Sequence, residues 1–373
     1  MKILILALLF SQNIDSATLE KKSIEAREIL KKENVSFRRA GKAKNSRIMS
    51  RDILLAVYSQ KTEMIDIIRL EVSVPKSLRD SNFNFKVVGF TYGVQRIAGK
   101  GITRLEFDVF KNETLEDMIV LDSRHLHLEK NRSSPRDLFY FPYSDIFQNN
   151  YFTKNGKETY FDIISEAVEE LCDTETKSLA FSDKLLCKTI PISFLTVLGA
   201  IEQTDDGEFF SNSAYALKKF STHIARNNEK AFSYSVSVDG ARGLMQFMNS
   251  SKIGTYNLVR KKYPKAKLIA DFEKGTADMK NSIKAALCLA DMNLAGMPDG
   301  FFWLMIKNPK IGGAILSSAH NGGLARARKL YSEHKKKKIN WDKFSLSKNV
   351  LPKETENFVK KYLKTYEYFL QND

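Results

Sequence analysis

Gly240-Ala241-Arg242-Gly243-Leu244-Met245-Gln246 is the stretch on which the reading of this chain turns. Gly240, Ala241 and Gly243 are small enough to let one backbone approach another, or a ligand, closely. Behind them Leu244, Met245, Phe247 and Met248 flank the single amide of Gln246. The pattern predicts a small-residue turn feeding an apolar helix over Gly243–Asn249. A buried amide must find hydrogen-bond partners. Gln246 therefore either caps a core helix or offers its amide to a ligand or to another side chain.

Upstream, Pro191 suits the first turn of a helix over Ile190–Gln203. Leu195, Leu198 and Glu202 share one face of it, and Gly199 and Ala200 keep the helix thin there. A carboxylate on an apolar face loses hydration, which favours its neutral form. A general acid needs that form near neutral pH. The competing reading of Glu202 is a helix-end glutamate in water. Downstream lies Ala319-His320-Asn321-Gly322-Gly323. Asparagine before paired glycines is turn chemistry, and it could also place a side-chain amide in a cleft. His320 alone reads as a structural histidine.

The chain has 373 residues, enough for two domains of ordinary size, and its 43% hydrophobic content supports packed cores. Its formal charge of +15 implies an anionic surrounding: nucleic acid, a membrane surface or an anionic cell-wall polymer. Solubility alone would account for the charge equally well. No stacking or zinc-finger signature supports nucleic acid, so no nucleic-acid partner is expected. Lys2, the apolar run Ile3 to Phe10 and the small pair Ser16-Ala17 read as a secretory signal peptide over 1–17. Asp15 suits the cut after Ala17 poorly. The apolar run is shorter than the roughly 20 residues that a bilayer requires. The expectation is an exported, soluble protein of the periplasm or cell envelope. Cys172 and Cys187 could pair across a short loop in an oxidising compartment. Cys288, in an apolar stretch, packs as a small hydrophobe. No His/Cys spacing suggests a metal site.

The expected fold class is α+β. Residues 18–50 read as a charged helical lead or linker. A small antiparallel-sheet domain of unassigned role follows over 51–155. Its period-two positions are Leu70, Val72 and Val74; Phe83, Phe85 and Val87; Leu105, Phe107 and Val109; and Met118 to Leu121. Turn signals are Pro75, Gly93, Gly99 to Gly101 and Asn112. A helix is expected near Ile53 to Tyr58. Residues 160–373 read as mostly helical, with helices over Phe161–Leu171, Met279–Met292, Leu324–Tyr331 and Thr355–Leu370. The run Lys335 to Lys338 reads as a solvated loop.

Taken together, these segments resemble the soluble, goose-lysozyme-like lytic transglycosylases. That family carries a helix ending in Glu-Ser, then a Ser-x-x-Gly-Ala-x-Gly-Leu-Met-Gln segment. Asp-x-x-x-Asn-Ile, Ala-Tyr-Asn-x-Gly and Leu-Pro-x-Glu-Thr-x-x-Tyr-Val segments follow. Here Glu202, Ser237 to Gln246, Asp278 to Ile283, Ala319 to Gly323 and Leu351 to Val359 occur in the same order, over about 190–365. The resemblance implies a lysozyme-like helical domain. It implies non-hydrolytic cleavage of the β-1,4 bond between N-acetylmuramic acid and N-acetylglucosamine in peptidoglycan, with a 1,6-anhydro product. Glu202 would be the catalytic acid and base. Ser237, Gly243, Met245, Gln246, His320, Asn321 and Phe358 would bind or position the glycan strand. No metal, nucleotide or other cofactor is required.

The chain departs from the family pattern at Gln203, His320 and Phe358. A longer segment, readable as a lid or flap, separates Glu202 from Ser237. Asp205 and Glu208 are fallback acids. The alternatives are a water-using muramidase on the same fold, with Asp205 or Asp206 as base, and a weakly catalytic peptidoglycan-binding scaffold.

Overall fold

The computed structural model describes residues 14–42, 46–74, 84–98, 106–114, 116–127, 136–237, 239–249, 254–336 and 350–370. The chain is mixed α and β and divides into two compact units, 1–100 with 104–151, and essentially 152–373. Residues 1–13 of the expected leader lie outside the described residues, as do Phe83, Leu105, Pro75, Gly99 to Gly101 and Lys337-Lys338. No helix among the described residues is long and apolar enough to cross a membrane.

The first unit opens with α1 (Ser16–Lys32), so Ser16 and Ala17 lie in its first turn. Asp15 caps it by accepting from the Thr18 amide at 3.0 Å. Eight strands follow among the described residues: β1 (Phe37–Arg39), β2 (Ile48–Tyr58), β3 (Ile65–Ser73), β4 (Phe85–Val87), β5 (Tyr92–Ala98), β6 (Glu106–Lys111), β7 (Glu116–His127) and β8 (Arg136–Tyr140). All pair antiparallel in the order β4-β3-β2-β7-β6-β5, with β1 beside β2 and β8 beside β7.

The helix expected near Ile53 to Tyr58 is instead the second half of β2. The reason is burial on both faces. Ile53, Leu55 and Val57 point into a core with Ile68, Leu70, Val72, Phe107, Val109, Met118 and Val120. Leu54, Ala56 and Tyr58, on the opposite face, are buried too, because α1 packs over β2 and β7. A strand covered on both sides loses the alternation that marks a half-solvated one. The stretch 18–50 is accordingly part of this unit rather than a separate lead. Leu19, Ala26 and Leu30 of α1 are buried in it.

Asp122 pairs with Ala56 across β2 and β7 and shares its face. Its side chain is fully buried, and Arg27 of α1 donates to it from both Nε and Nη2, the latter at 2.9 Å. The Arg27 guanidinium also lies over the Phe139 and Phe141 rings.

The second unit is helical. Its elements are α2 (Asn150–Asp173), α3 (Ile192–Glu202), α4 (Asp206–Ser211), α5 (Ser213–Asn227), α6 (Thr255–Lys262), α7 (Phe272–Ala277), α8 (Met279–Ala295), α9 (Phe301–Lys307), α10 (Pro309–Gly322), α11 (Leu324–Lys336) and α12 (Lys353–Leu370). α3 is buried continuously from Phe194 to Ile201, which makes it the hydrophobic centre of the unit. α10 and α12 pack against it.

The segment between Glu202 and Ser237 is neither lid nor flap. It forms α4 and α5, and Phe209, Leu217, Phe220 and Ile224 bury their side chains in the common core. That much apolar surface cannot be left in water when a core is at hand.

Cys172 and Cys187 are joined in a disulfide that closes a loop after α2. Cys288 is buried, and burial pushes its thiol well above the usual range. The disulfide loop is tied to α8 by Asp291, which is 0% exposed. Its carboxylate accepts from the Ser178 hydroxyl at 2.6 Å, the Leu179 amide at 2.7 Å, the Tyr263 hydroxyl at 2.9 Å and the Thr189 hydroxyl at 3.1 Å.

Breaking the first unit's buried pair exposes its weight. Arg27→Met leaves the Asp122 carboxylate buried without its guanidinium, a change that costs about 3–5 kcal/mol. Urea unfolding followed by circular dichroism should show that loss. Arg27→Met with Asp122→Leu should recover most of it.

Candidate functional site

The site forms where the C-terminal end of α3 meets the loop 235–247 and the last turn of α10. Glu202 is the final residue of α3, and its side chain is 14% exposed. His320, in the last turn of α10, brings its Nε2 to 3.2 Å from Glu202 Oε1 and 3.2 Å from the Met245 carbonyl oxygen. The imidazole is 8% exposed, and Phe247 packs against it edge-on at 6.0 Å.

Gln203 holds the loop. Its Nε2 donates to the Gly243 carbonyl at 2.9 Å and the Leu244 carbonyl at 2.8 Å. Its Oε1 accepts from the Ser235 hydroxyl at 2.9 Å. The Gln246 amide then donates to the Gly243 carbonyl at 2.7 Å and to Ser235 Oγ at 3.3 Å. Two glutamine amides thus converge on one serine and one carbonyl, in the loop that His320 links to the carboxylate.

The loop is not the helix expected over Gly243–Asn249. Arg242 and Phe247 exchange both backbone hydrogen bonds, at 3.0 and 3.1 Å, and close a tight reversal. Gly243 and Gln246 both take positive φ, 73° and 47°. At Gly243 the conformation is forced by crowding as well. A Cβ there would sit 1.8 Å from the Thr276 carbonyl oxygen. The Gly243 amide donates to the Ser235 carbonyl at 2.9 Å.

Asn321 lies in the last turn of α10 rather than in a turn, and Gly323 at φ 86° ends the helix. Its Oδ1 accepts from the Thr355 hydroxyl at 2.9 Å, and Arg326 donates to the same hydroxyl at 2.6 Å. This chain ties the end of α10 to the start of α12. Ser237 is exposed, and its hydroxyl accepts from the Ala241 amide at 3.0 Å within its own turn. Ser235, two residues earlier, is the serine that reaches the amide cluster. Met245 is fully buried and presents its carbonyl rather than its side chain to His320. Phe358 is buried in the core of the helical unit.

The fallback carboxylates have other tasks. Asp205 caps α4 by accepting from the Glu208 amide, and Glu208 pairs with Lys219 at 3.1 Å. Asp206 accepts from Lys361 at 3.1 Å and from Asn357 at 3.0 Å. Lys361 of α12 is itself buried and also donates to the Thr204 carbonyl at 2.5 Å. Burial pushes its ammonium below the usual lysine range, while Asp206 and then Glu202 oppose that shift. Sequence reading missed Lys361, Ser235 and Arg326 as members of this neighbourhood, and it placed Thr355 in a motif without a role.

The arrangement offers one carboxylate, nearly desolvated, with a ring N–H or lone pair against one oxygen and a rigid amide-bearing loop beside it. That set suits proton transfer at a single acid.

Gly243→Ala should cost about 1–3 kcal/mol from backbone strain alone, with the Thr276 contact adding to it. The fall in thermal unfolding temperature should exceed that of Gly240→Ala, where φ is also positive but no atom lies within 4 Å of the added methyl. No family model, curated protein or solved structure matches this chain.

Proposed function

We propose that this chain is an exported lytic transglycosylase acting on peptidoglycan glycan strands, with a lysozyme-like helical unit and Glu202 as its acid. One observation carries the reading. Three of the segments that resemble the family's motifs, far apart in sequence, meet: His320 lies between the Glu202 carboxylate and the Met245 carbonyl of the loop that Gln203 clamps. The disulfide supports export, because such bonds persist in oxidising compartments. The excess of positive charge suits an anionic envelope surface.

The chemistry follows from a single acid. Glycosidases ordinarily use two carboxylates. Here the three acidic side chains that follow α3 directly, Asp205, Asp206 and Glu208, are engaged in a cap and in ion pairs. Glu202 protonates the departing glycosidic oxygen as the bond to the anomeric carbon breaks. The carboxylate then takes the proton from the 6-hydroxyl of the same muramic residue, whose oxygen bonds to that carbon. Glu202 ends protonated as it began, and no water is consumed. The nucleophile belongs to the substrate, so proximity replaces a second carboxylate. Gln203, Gln246 and Ser235 hold the loop against the acid, and Asn321 fixes the end of α10.

Digestion of purified sacculi by the wild type and Glu202→Gln tests this. The wild type should release muropeptides with 1,6-anhydro ends, read by mass. Glu202→Gln should lose about 10²–10⁴-fold in rate while keeping its melting temperature. Reducing ends instead would mark a water-using muramidase. Binding to sacculi with no release from the wild type would mark a scaffold.

A further inference from the structure

The position of His320 says more than that it is near the acid. Its Nε2 faces two oxygens, Glu202 Oε1 and the Met245 carbonyl, each at 3.2 Å. A carbonyl oxygen only accepts. If Nε2 were a bare lone pair, it would oppose the Met245 oxygen directly. A hydrogen on Nε2 satisfies the carbonyl and the carboxyl together, as a shared donor. The ring cannot easily turn away from this arrangement. It is 8% exposed, Phe247 packs against it edge-on, and it projects from the last turn of a helix.

We infer that His320 is a positioning residue that carries its hydrogen on Nε2 and holds Oε1 of Glu202, leaving Oε2 as the oxygen that exchanges protons with the substrate. The inference rests on Glu202 being the acid of the proposed reaction. It assigns unequal tasks to the two carboxyl oxygens. Oε1 is tied through His320 to the Met245 carbonyl, and so to the loop that Gln203 clamps. Oε2 gives its proton to the leaving glycosidic oxygen and receives one from the 6-hydroxyl. The proton on Nε2 is not consumed in either step. His320 acts by fixing the rotation of the carboxyl group, and a carboxyl free to rotate would present either oxygen in either protonation state.

Two measurements on the full chain decide this. The first is the nitrogen NMR spectrum of histidine-labelled protein at a pH where the imidazole is neutral. The sequence has 5 histidines, and His320→Gln identifies the signals that belong to this one. Nε2 of His320 should be the hydrogen-bearing, pyrrole-type nitrogen and Nδ1 the pyridine-type one. The reverse assignment overturns the inference. The second measurement is turnover of sacculi-derived glycan by His320→Gln, which keeps an N–H donor, and His320→Leu, which removes it. His320→Leu should lose about 10²-fold in kcat with KM little changed, and His320→Gln should recover most of that loss. A His320→Leu variant that melts like wild type and keeps its kcat, while Glu202→Gln is inactive, also overturns the inference. If the wild type itself releases nothing, the proposed function fails and the task given to Oε2 fails with it. The nitrogen assignment then still decides the His320 hydrogen on its own.

Discussion

The helical unit is organised by the requirement that one buried amide be satisfied at both ends. Gln203 follows the last helical residue of the hydrophobic central helix and is only 9% exposed. Its nitrogen has hydrogens to place and its oxygen has lone pairs to fill, at a point where water is scarce. The loop supplies two carbonyls and a serine hydroxyl to meet that need. Docking the loop for this reason carries its other contents into position. Met245 lends a carbonyl to His320, and Phe247 packs against the imidazole. The carboxylate of Glu202 sits next to all of this because it is the neighbouring residue in the chain.

Much of this was legible beforehand, and the parts that were not have physical reasons. Glu202 was marked by the apolar face that carries it, and that face is indeed buried. Pro191 marked the start of the same helix, where it is the capping residue of α3. The long helices declared themselves through their periodicity, as α8 and α12 show. The loop 240–247 did not. Its apolar residues resemble a helix by composition, but they are buried by a backbone reversal that requires positive φ at Gly243 and Gln246. A glutamine with positive φ is rare enough that no local pattern announces it. Gln203 looked like a departure from an expected serine, when in the folded chain it is the clamp. The value of a side chain with reach is visible only once its distant partners are known. Ser235 and Gln203 lie far apart in sequence, and no spacing rule connects them.

The sheet unit illustrates a different loss of signal. Strands with one wet face alternate, and β3 and β6 could be read that way. β2 could not, because α1 covers its second face and every residue from Ile53 to Tyr58 is buried. The charged composition of α1 concealed its part in this. Lys21, Lys31 and Lys32 face water while Leu19, Ala26 and Leu30 are inside, so the segment looked like an appendage. Arg27 looked like one more surface cation. Its partner, Asp122, lies far along the chain and is fully desolvated.

The carboxylate of Asp291 has an evolutionary consequence. Its donors come from the disulfide loop, from Thr189 just beyond it and from Tyr263, and together they occupy both of its oxygens. Losing any one donor strands part of a charge in a dry interior, and losing the aspartate strands several hydroxyls at once. Neither half can drift alone without an intermediate that folds poorly. Lineages descended from this chain should therefore keep Ser178, Thr189, Tyr263 and Asp291 as a block, or exchange them together for an apolar plug, even where neighbouring surface positions diverge freely.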